Sequence, residues 1–382
     1  MDTTKFITVC VLAVIVSFFL SCNKQADENL INEDIQTSDY ILSDEDAKIL
    51  LNDFVGNGNK TRSGELVEIG DYNVYDYQIS TAMETDNVPV FHYTLKTGDE
   101  EGYALVVADS RIPKVLVYVE KGSLADTSFI EPLRLYVRSI PEFITSNLID
   151  YYEGNSQTTI PVTKAESYIT YYCFLSTNWN QTYPYNSQCP IASCSSSYNG
   201  RYPAGCLIVA IAQILAYHRV PSSLDWNSIL SSPTVTWSSS STVINQVGNL
   251  IANIGTSLNT NYDCGGSSAY LSAAPSVFSS YGVITNGLIS FSLPAIVSSL
   301  QNGRLVLVYG ETTSGIGHAW VCDGYKRHVY SSTEYYDYLD MNWGWGGTSN
   351  GFYYMYSPPS FNAGSYTFTN NLKIIANIRK VN

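Results

Sequence analysis

The sequence predicts an α+β protein made of two units, a small acidic one followed by a larger neutral one. Three observations carry this. The formal charge of −14 over 382 residues is unevenly spread: residues 23–164 hold 25 acidic and 11 basic side chains, whereas residues 165–382 hold 8 of each. All six tryptophans lie in the second segment. Finally, Cys206 to Tyr217 is an almost wholly apolar run of helical length, set among strand-like runs. A helix apolar on nearly every side belongs inside a protein, and a chain of this length can bury two cores. Neither unit carries a basic patch, so nucleic acid is not expected as a partner.

Residues 1–22 have the form of an export signal. Lys5 supplies the positive start, and Phe6 to Leu20 is an apolar run of 15. As a helix it reaches about 22 Å, short of the ~30 Å hydrocarbon core, which fits a cleaved signal better than a membrane span. It ends Phe19-Leu20-Ser21-Cys22, which resembles a bacterial lipobox with Cys22 as the lipidated residue. Phe19 departs from the usual aliphatic residue. Cys10 lies within the signal. Residues 23–40 are polar and acidic, in keeping with a tether.

The acidic unit, residues 41–153, opens with Ser43 as a helix cap. Asp44, Glu45 and Asp46 crowd the first turn, where the helix dipole favours carboxylates, and Gly56 is the stop. Strand-like runs follow at Tyr72–Ile79, Val88–Leu95, Tyr103–Val107 and Val115–Val119. Glu131 to Tyr152 is expected to be helical, interrupted by Pro141. Residues 154–167 have linker composition, and Lys164 within them makes proteolytic separation plausible.

In the second unit, residues 168–382, the run from Val243 to Ile254 has helical spacing, and Tyr262 to Ala269 is a loop. Ser292 and Pro294 open a short helix ending near Gly303, and Leu305–Tyr309 is a strand. Gly317–Tyr325 and Tyr336–Trp343 are two strands of a hairpin. Gly344-Trp345-Gly346-Gly347 is a tight loop, and Phe352–Tyr356 and Leu372–Ile378 close the unit.

Cys206 stands at the first turn of the buried helix, just after Pro203 and Gly205. A helix start favours thiolate over thiol, so this cysteine is either a prepared nucleophile or a buried structural thiol. A nucleophile needs a base within hydrogen-bond reach. His218 is about 18 Å along the same helix and suits its C-terminal end. His328 follows Lys326-Arg327 in an expected surface turn, and His92 lies in the acidic unit. Elimination leaves His318, whose alternative is a structural role. If the hairpin turn centres on Tyr330, His318 faces Asn342 across the ladder, where an amide can fix the imidazole tautomer. The Cys206 backbone N–H is a natural oxyanion donor. Gln181 is a candidate for a second donor or for ordinary loop hydrogen bonding.

Together these residues resemble the streptopain-like family of bacterial cysteine peptidases. The matching stretches are Trp179-Asn180-Gln181, Ala204-Gly205-Cys206 with Ala212-Gln213-Ile214 and Tyr217-His218, Gly317-His318-Ala319 with Asp323-Gly324-Tyr325, and Asn342 to Gly347. The resemblance implies a papain-like catalytic domain, a central helix plus antiparallel sheet, preceded by a small α+β prodomain that inhibits it intramolecularly. It implies Cys206 as nucleophile, His318 as general base and acid, Gln181 at the oxyanion site, and Asn342 with Trp343 orienting the histidine. Extended protein or peptide substrates follow, with no cofactor or metal, and membrane attachment only through an N-terminal lipid at the outer membrane or cell surface. Leu207-Ile208-Val209 departs from the smaller residues usual after the nucleophile.

Among the remaining cysteines, Cys173, Cys189, Cys194, Cys264 and Cys322, export permits disulfides, and Cys189 with Cys194 could close a small loop. Their spacings fit no common zinc template. Cys322 shares the sheet face of His318 and reads as core. The competing functional class is a surface lipoprotein that binds glycans or peptides through its many aromatic side chains, without catalysis.

Overall fold

The computed structural model describes residues 40–56, 65–81, 85–112, 115–124, 131–153, 167–172, 175–194, 198–311, 317–331, 335–355, 362–363, 366–367 and 371–381. The expected export signal, the lipobox Cys22, nearly all of the tether and linker, and Cys173 lie outside these residues. Residues 39–382 form one compact unit. No helix among the described residues is long and apolar enough to cross a membrane.

The fold is α+β. Helix α1, Asp44–Val55, starts where its chemistry dictates: Ser43 Oγ accepts from Asp46 N–H, and the Asp46 carboxylate accepts from Ser43 N–H, a reciprocal cap. Strands β1 (Glu68–Ser80), β2 (Thr85–Thr97), β3 (Glu100–Val107) and β4 (Val115–Val119) form an antiparallel meander. Helix α2, Glu131–Tyr152, runs without a break past Pro141, contrary to the expected interruption. Strand β5 (Ser167–Tyr172) leads to the central helix α3, Cys206–Tyr217, in which every residue from Leu207 to Ala216 is buried. Burying its leucines and isoleucines contributes roughly 1.5–3 kcal/mol per side chain, which is why so polar-poor a helix sits at the centre. It packs on α5, Ser241–Ser257, after the short α4, Trp226–Ile229. Then come α6 (Ala274–Ser280), β6 (Val283–Ile284), β7 (Leu288–Ser290), α7 (Leu293–Gln301, capped by Ser292), β8 (Val306–Glu311), β9 (Gly317–Val329), β10 (Tyr335–Asn342), β11 (Gly351–Tyr354), β12 (Asn362–Ala363), β13 (Tyr366–Thr367), β14 (Lys373–Ile375) and β15 (Arg379–Lys380).

One sheet runs β1-β2-β3-β4-β11-β10-β9-β8-β14-β7, with β5 also on β9. The meander of the acidic segment thus continues the later sheet through the pairing of β4 with β11, Gly351 opposite Val119. The first half of β9 pairs with β8 and its second half with β5, so β9 is the spine on which α3 rests.

Three further expectations need correction. The hairpin turn falls between Val329 and Tyr335 rather than on Tyr330, and a register shift between Asp340 and Met341 sets Asn342 opposite Val321. His318 pairs instead with Gly310 of β8. Asn342 therefore does not face His318. The second correction explains the first: His328 is not in a surface turn but buried in β9, 2% exposed, against Phe54, Tyr168 and Tyr338. Beside it Arg327 pairs with Asp337 through Nε at 2.6 Å. These contacts keep the Lys-Arg-His run in the strand and push the turn outward. Third, Cys194 bonds Cys264, 70 residues away, while Cys189 is a buried thiol.

Burial, with Lys326 adding to it, pushes the pKa of His328 down to about 3. An unfolded chain protonates this group near 6.5, the folded one only near 3, so stability is full above pH 6.5 and falls as pH drops toward 3. The slope is about 1.4 kcal/mol per pH unit. In denaturant titrations His328→Phe should shrink the loss of stability between pH 7 and pH 4.5 by about 2 kcal/mol. An unchanged difference would show that the histidine does not carry it.

Candidate active site

The start of α3 is held from two sides. Ala204 N–H donates to Gln181 O at 2.9 Å, and Ser267 Oγ donates to Pro203 O at 2.6 Å. Gly205 has φ +97°, and a Cβ there would meet Ser267 O at 2.8 Å, so only glycine fits both the conformation and the space. Directly after it, Cys206 points at the beginning of β9: its Sγ accepts the Ala319 N–H at 3.4 Å. One helix end and one strand start, 113 residues apart in the chain, thus bring the sulfur against the residue that follows His318.

His318 is 6% exposed. Its ring lies between Trp320 and Trp345, with centroids 6.0 and 5.9 Å away and planes within 16° and 21°. His318 Nε2 is 3.0 Å from Trp343 O. A carbonyl only accepts, so Nε2 carries the proton, and the neutral ring keeps Nδ1 as its proton acceptor. Trp345 Nε1, 3.4 Å from the same nitrogen, is then a packing contact.

Asn342 reaches this histidine only through the main chain. Its Oδ1 accepts from Gly344 N–H at 3.2 Å and from Gln213 Nε2 at 3.1 Å, and its Nδ2 donates to Thr177 O at 2.9 Å. The first bond closes the turn whose middle carbonyl, that of Trp343, meets His318. Trp343 is itself fixed, N–H to Asn350 Oδ1 at 3.0 Å and Nε1–H to Ser349 O at 2.9 Å. The glycine loop after it lies against the loop before Gln181: Gly346 N–H donates to Trp179 O at 3.0 Å. Gln181 is buried, and its N–H donates to Asn180 Oδ1 at 2.6 Å.

The electrostatics temper one expectation. Burial pushes the Cys206 thiol up from its ordinary value, while the Ala319, Leu207 and Cys206 N–H groups pull it down. The side chain keeps partial solvent exposure, so the effect of burial acts on a group that still meets water. Burial pushes His318 down to about 4, with the Trp343 carbonyl opposing. The helix start alone therefore does not make the thiolate dominant in this full-length arrangement, because desolvation works against both charges.

Sequence reasoning overlooked three side chains here. Trp320 and Trp345 sandwich the imidazole, and Gln213 bonds Asn342 from the middle of α3. The advance signals for Gln213 were a lone polar residue inside an apolar helix and its place in the Ala212-Gln213-Ile214 stretch of the resemblance.

The Peptidase C10 family model matches residues 179–353, the span that holds every group just described except Thr177. The chain is similar to streptopain of Streptococcus pyogenes serotype M1, 27% identical over an alignment of 326 residues that covers 72% of this chain and 76% of that protein. Streptopain of Streptococcus pyogenes is 26% identical over 324 residues, with the same coverage. The thiol protease/hemagglutinin PrtT of Porphyromonas gingivalis is 23% identical over 314 residues, covering 69% of this chain and 33% of that protein.

Proposed function

Since the chain belongs to the streptopain-like family of cysteine peptidases, we propose that Cys206 is its nucleophile and His318 its general base and acid, in an exported endopeptidase made as a zymogen. The thiolate of Cys206 attacks a peptide carbonyl carbon, forming a C–S bond. His318 takes the thiol proton at Nδ1 and returns it to the leaving amine as the C–N bond breaks. Water, deprotonated by the same imidazole, then releases the acid and restores the thiol. The N–H of Cys206 and the side-chain amide of Gln181 are the oxyanion donors. Trp343 orients the imidazole through its carbonyl, and Asn342 acts one step behind, by closing that turn.

The observation that carries this reading is the 3.4 Å contact from Ala319 N–H to Cys206 Sγ, which sets the sulfur beside the residue that follows the buried histidine. Residues 168–382 are the catalytic domain, and residues 41–153 are the inhibitory prodomain, joined by the cleavable linker 154–167. One contact supports the inhibitory role: Ser349 N–H donates to Lys121 O at 2.7 Å, and Ser349 O holds the Trp343 indole. The charge and apolar pattern of residues 1–22 supports export. Cys22 is the lipidation site, anchoring the full-length chain to the outer membrane or cell surface until cleavage in the linker frees the peptidase.

Alkylation tests the assignment. Iodoacetamide should abolish peptide hydrolysis in step with modification of Cys206, mapped by mass spectrometry, while the buried Cys189 and Cys322 stay unmodified. Full alkylation of Cys206 with hydrolysis intact would overturn it.

A further inference from the structure

Gln213 is fully buried in the middle of α3, between Ala212 and Ile214, and is the single polar side chain among the ten buried residues of that helix. An amide in such a place is unfavourable unless its donors and acceptor are used. They are used in two directions. Its Oε1 accepts from Thr177 Oγ1 at 3.1 Å and from Trp179 N–H at 3.0 Å. Its Nε2 donates to Asn342 Oδ1 at 3.1 Å.

These partners belong to the two walls on either side of the thiol. Thr177 and Trp179 lead into Gln181, whose carbonyl in turn holds Ala204, two residues ahead of Cys206. Asn342 closes the turn that presents the Trp343 carbonyl to His318. Asn342 also donates to Thr177 O at 2.9 Å, so the two walls and the helix form one closed set of bonds. Had packing been the only demand at position 213, leucine or methionine would serve it at lower cost.

We infer that Gln213 is a positioning residue for hydrolysis: one amide on the nucleophile's own helix sets the spacing between the Gln181 wall and the Trp343 carbonyl that fixes the imidazole. This rests on the assignment of Cys206 and His318 made above. Gln213 touches neither substrate nor sulfur. It acts through Trp179 and Asn342. Only glutamine combines the reach, the acceptor and the donor. Glutamate keeps the reach and the bonds from Thr177 and Trp179 but has no proton for Asn342, so it releases one wall alone.

The experiment starts from the full-length chain, with Gln213→Leu and Gln213→Glu beside wild type, a short peptide substrate with kcat referred to the linker-cleaved fraction of each preparation, and iodoacetamide as the probe of Cys206. Gln213→Leu should lower kcat by up to about 100-fold with KM within about twofold, since the loss falls on the transition state rather than on uniform binding. The pH profile of Cys206 alkylation should move toward that of an unassisted thiol. Gln213→Glu should fall between the two, with the same displacement of the profile. A purely structural role would lower the melting temperature and leave the kcat of the folded fraction and the alkylation profile at wild-type values. That result in either variant overturns the inference. Should Gln213→Leu not fold, Gln213→Glu decides, because it preserves volume and two of the three bonds. Cys206→Ala in parallel separates the two failures. If that variant still hydrolyses peptide, the nucleophile assignment falls. If it is inert while both Gln213 variants keep wild-type kcat and profile, only the present inference falls.

Discussion

Cys206→Ala is expected to lower peptide hydrolysis by on the order of 10⁴-fold or more, and to stop self-processing of the full-length chain. The size follows from the role: without the sulfur there is no acyl intermediate, and what survives is binding and any polarisation of the carbonyl. The variant should fold. Alanine removes one partly exposed atom from a helix whose remaining buried face is untouched, and the backbone demand at this end rests on Gly205, not on position 206. A melting temperature within a few degrees of wild type would therefore accompany the loss. Self-processing that persisted in a purified variant would remove the intramolecular account of maturation, and persistent hydrolysis would remove the nucleophile.

The second large effect belongs to His318→Gln, for which a drop of about 10²–10⁴-fold in kcat/KM is expected. Glutamine is chosen because its amide can still donate to the Trp343 carbonyl and fill part of the slot between Trp320 and Trp345. It cannot take a proton from the thiol or return one to the leaving amine. Two measurements distinguish chemistry from packing. Alkylation of Cys206 should lose the pH dependence contributed by the imidazole, and the fold should survive, as judged by its near-ultraviolet tryptophan signal. A variant that kept wild-type alkylation kinetics would show that His318 does not serve the sulfur.

Much of this architecture was open to sequence reasoning where the deciding forces act over short range. The limits of α3 follow from Gly205 before it, His218 after it, and an apolar run between that leaves no other place than the interior. The reciprocal Ser43–Asp46 cap is likewise spelled out within four residues. The choice of His318 over three other histidines rested on the helix rise and the composition around each, and for His328 that composition misled, since it lies buried in β9 rather than in a surface turn. Register was different. The turn centre depended on whether His328 lay outside or inside, and that was settled by Phe54 from a helix some 270 residues earlier. No local pattern around Tyr330 carries that information. The same holds for Cys194: its nearby candidate Cys189 was the economical guess, yet the partner is Cys264 from a distant loop.

The chain's own order of residues was enough to establish the α+β class and the buried helix headed by a thiol. Short-range sterics and the need to hide apolar surface leave few alternatives at that scale. The folded arrangement alone established that a tryptophan carbonyl rather than the Asn342 amide meets the imidazole, that Gln213 ties both walls to the helix, and that burial opposes charge on both the Cys206 thiol and the His318 ring. Each of these rests on contacts between segments far apart in the chain, whose distances and desolvation come into being only when the sheet and helix close on one another.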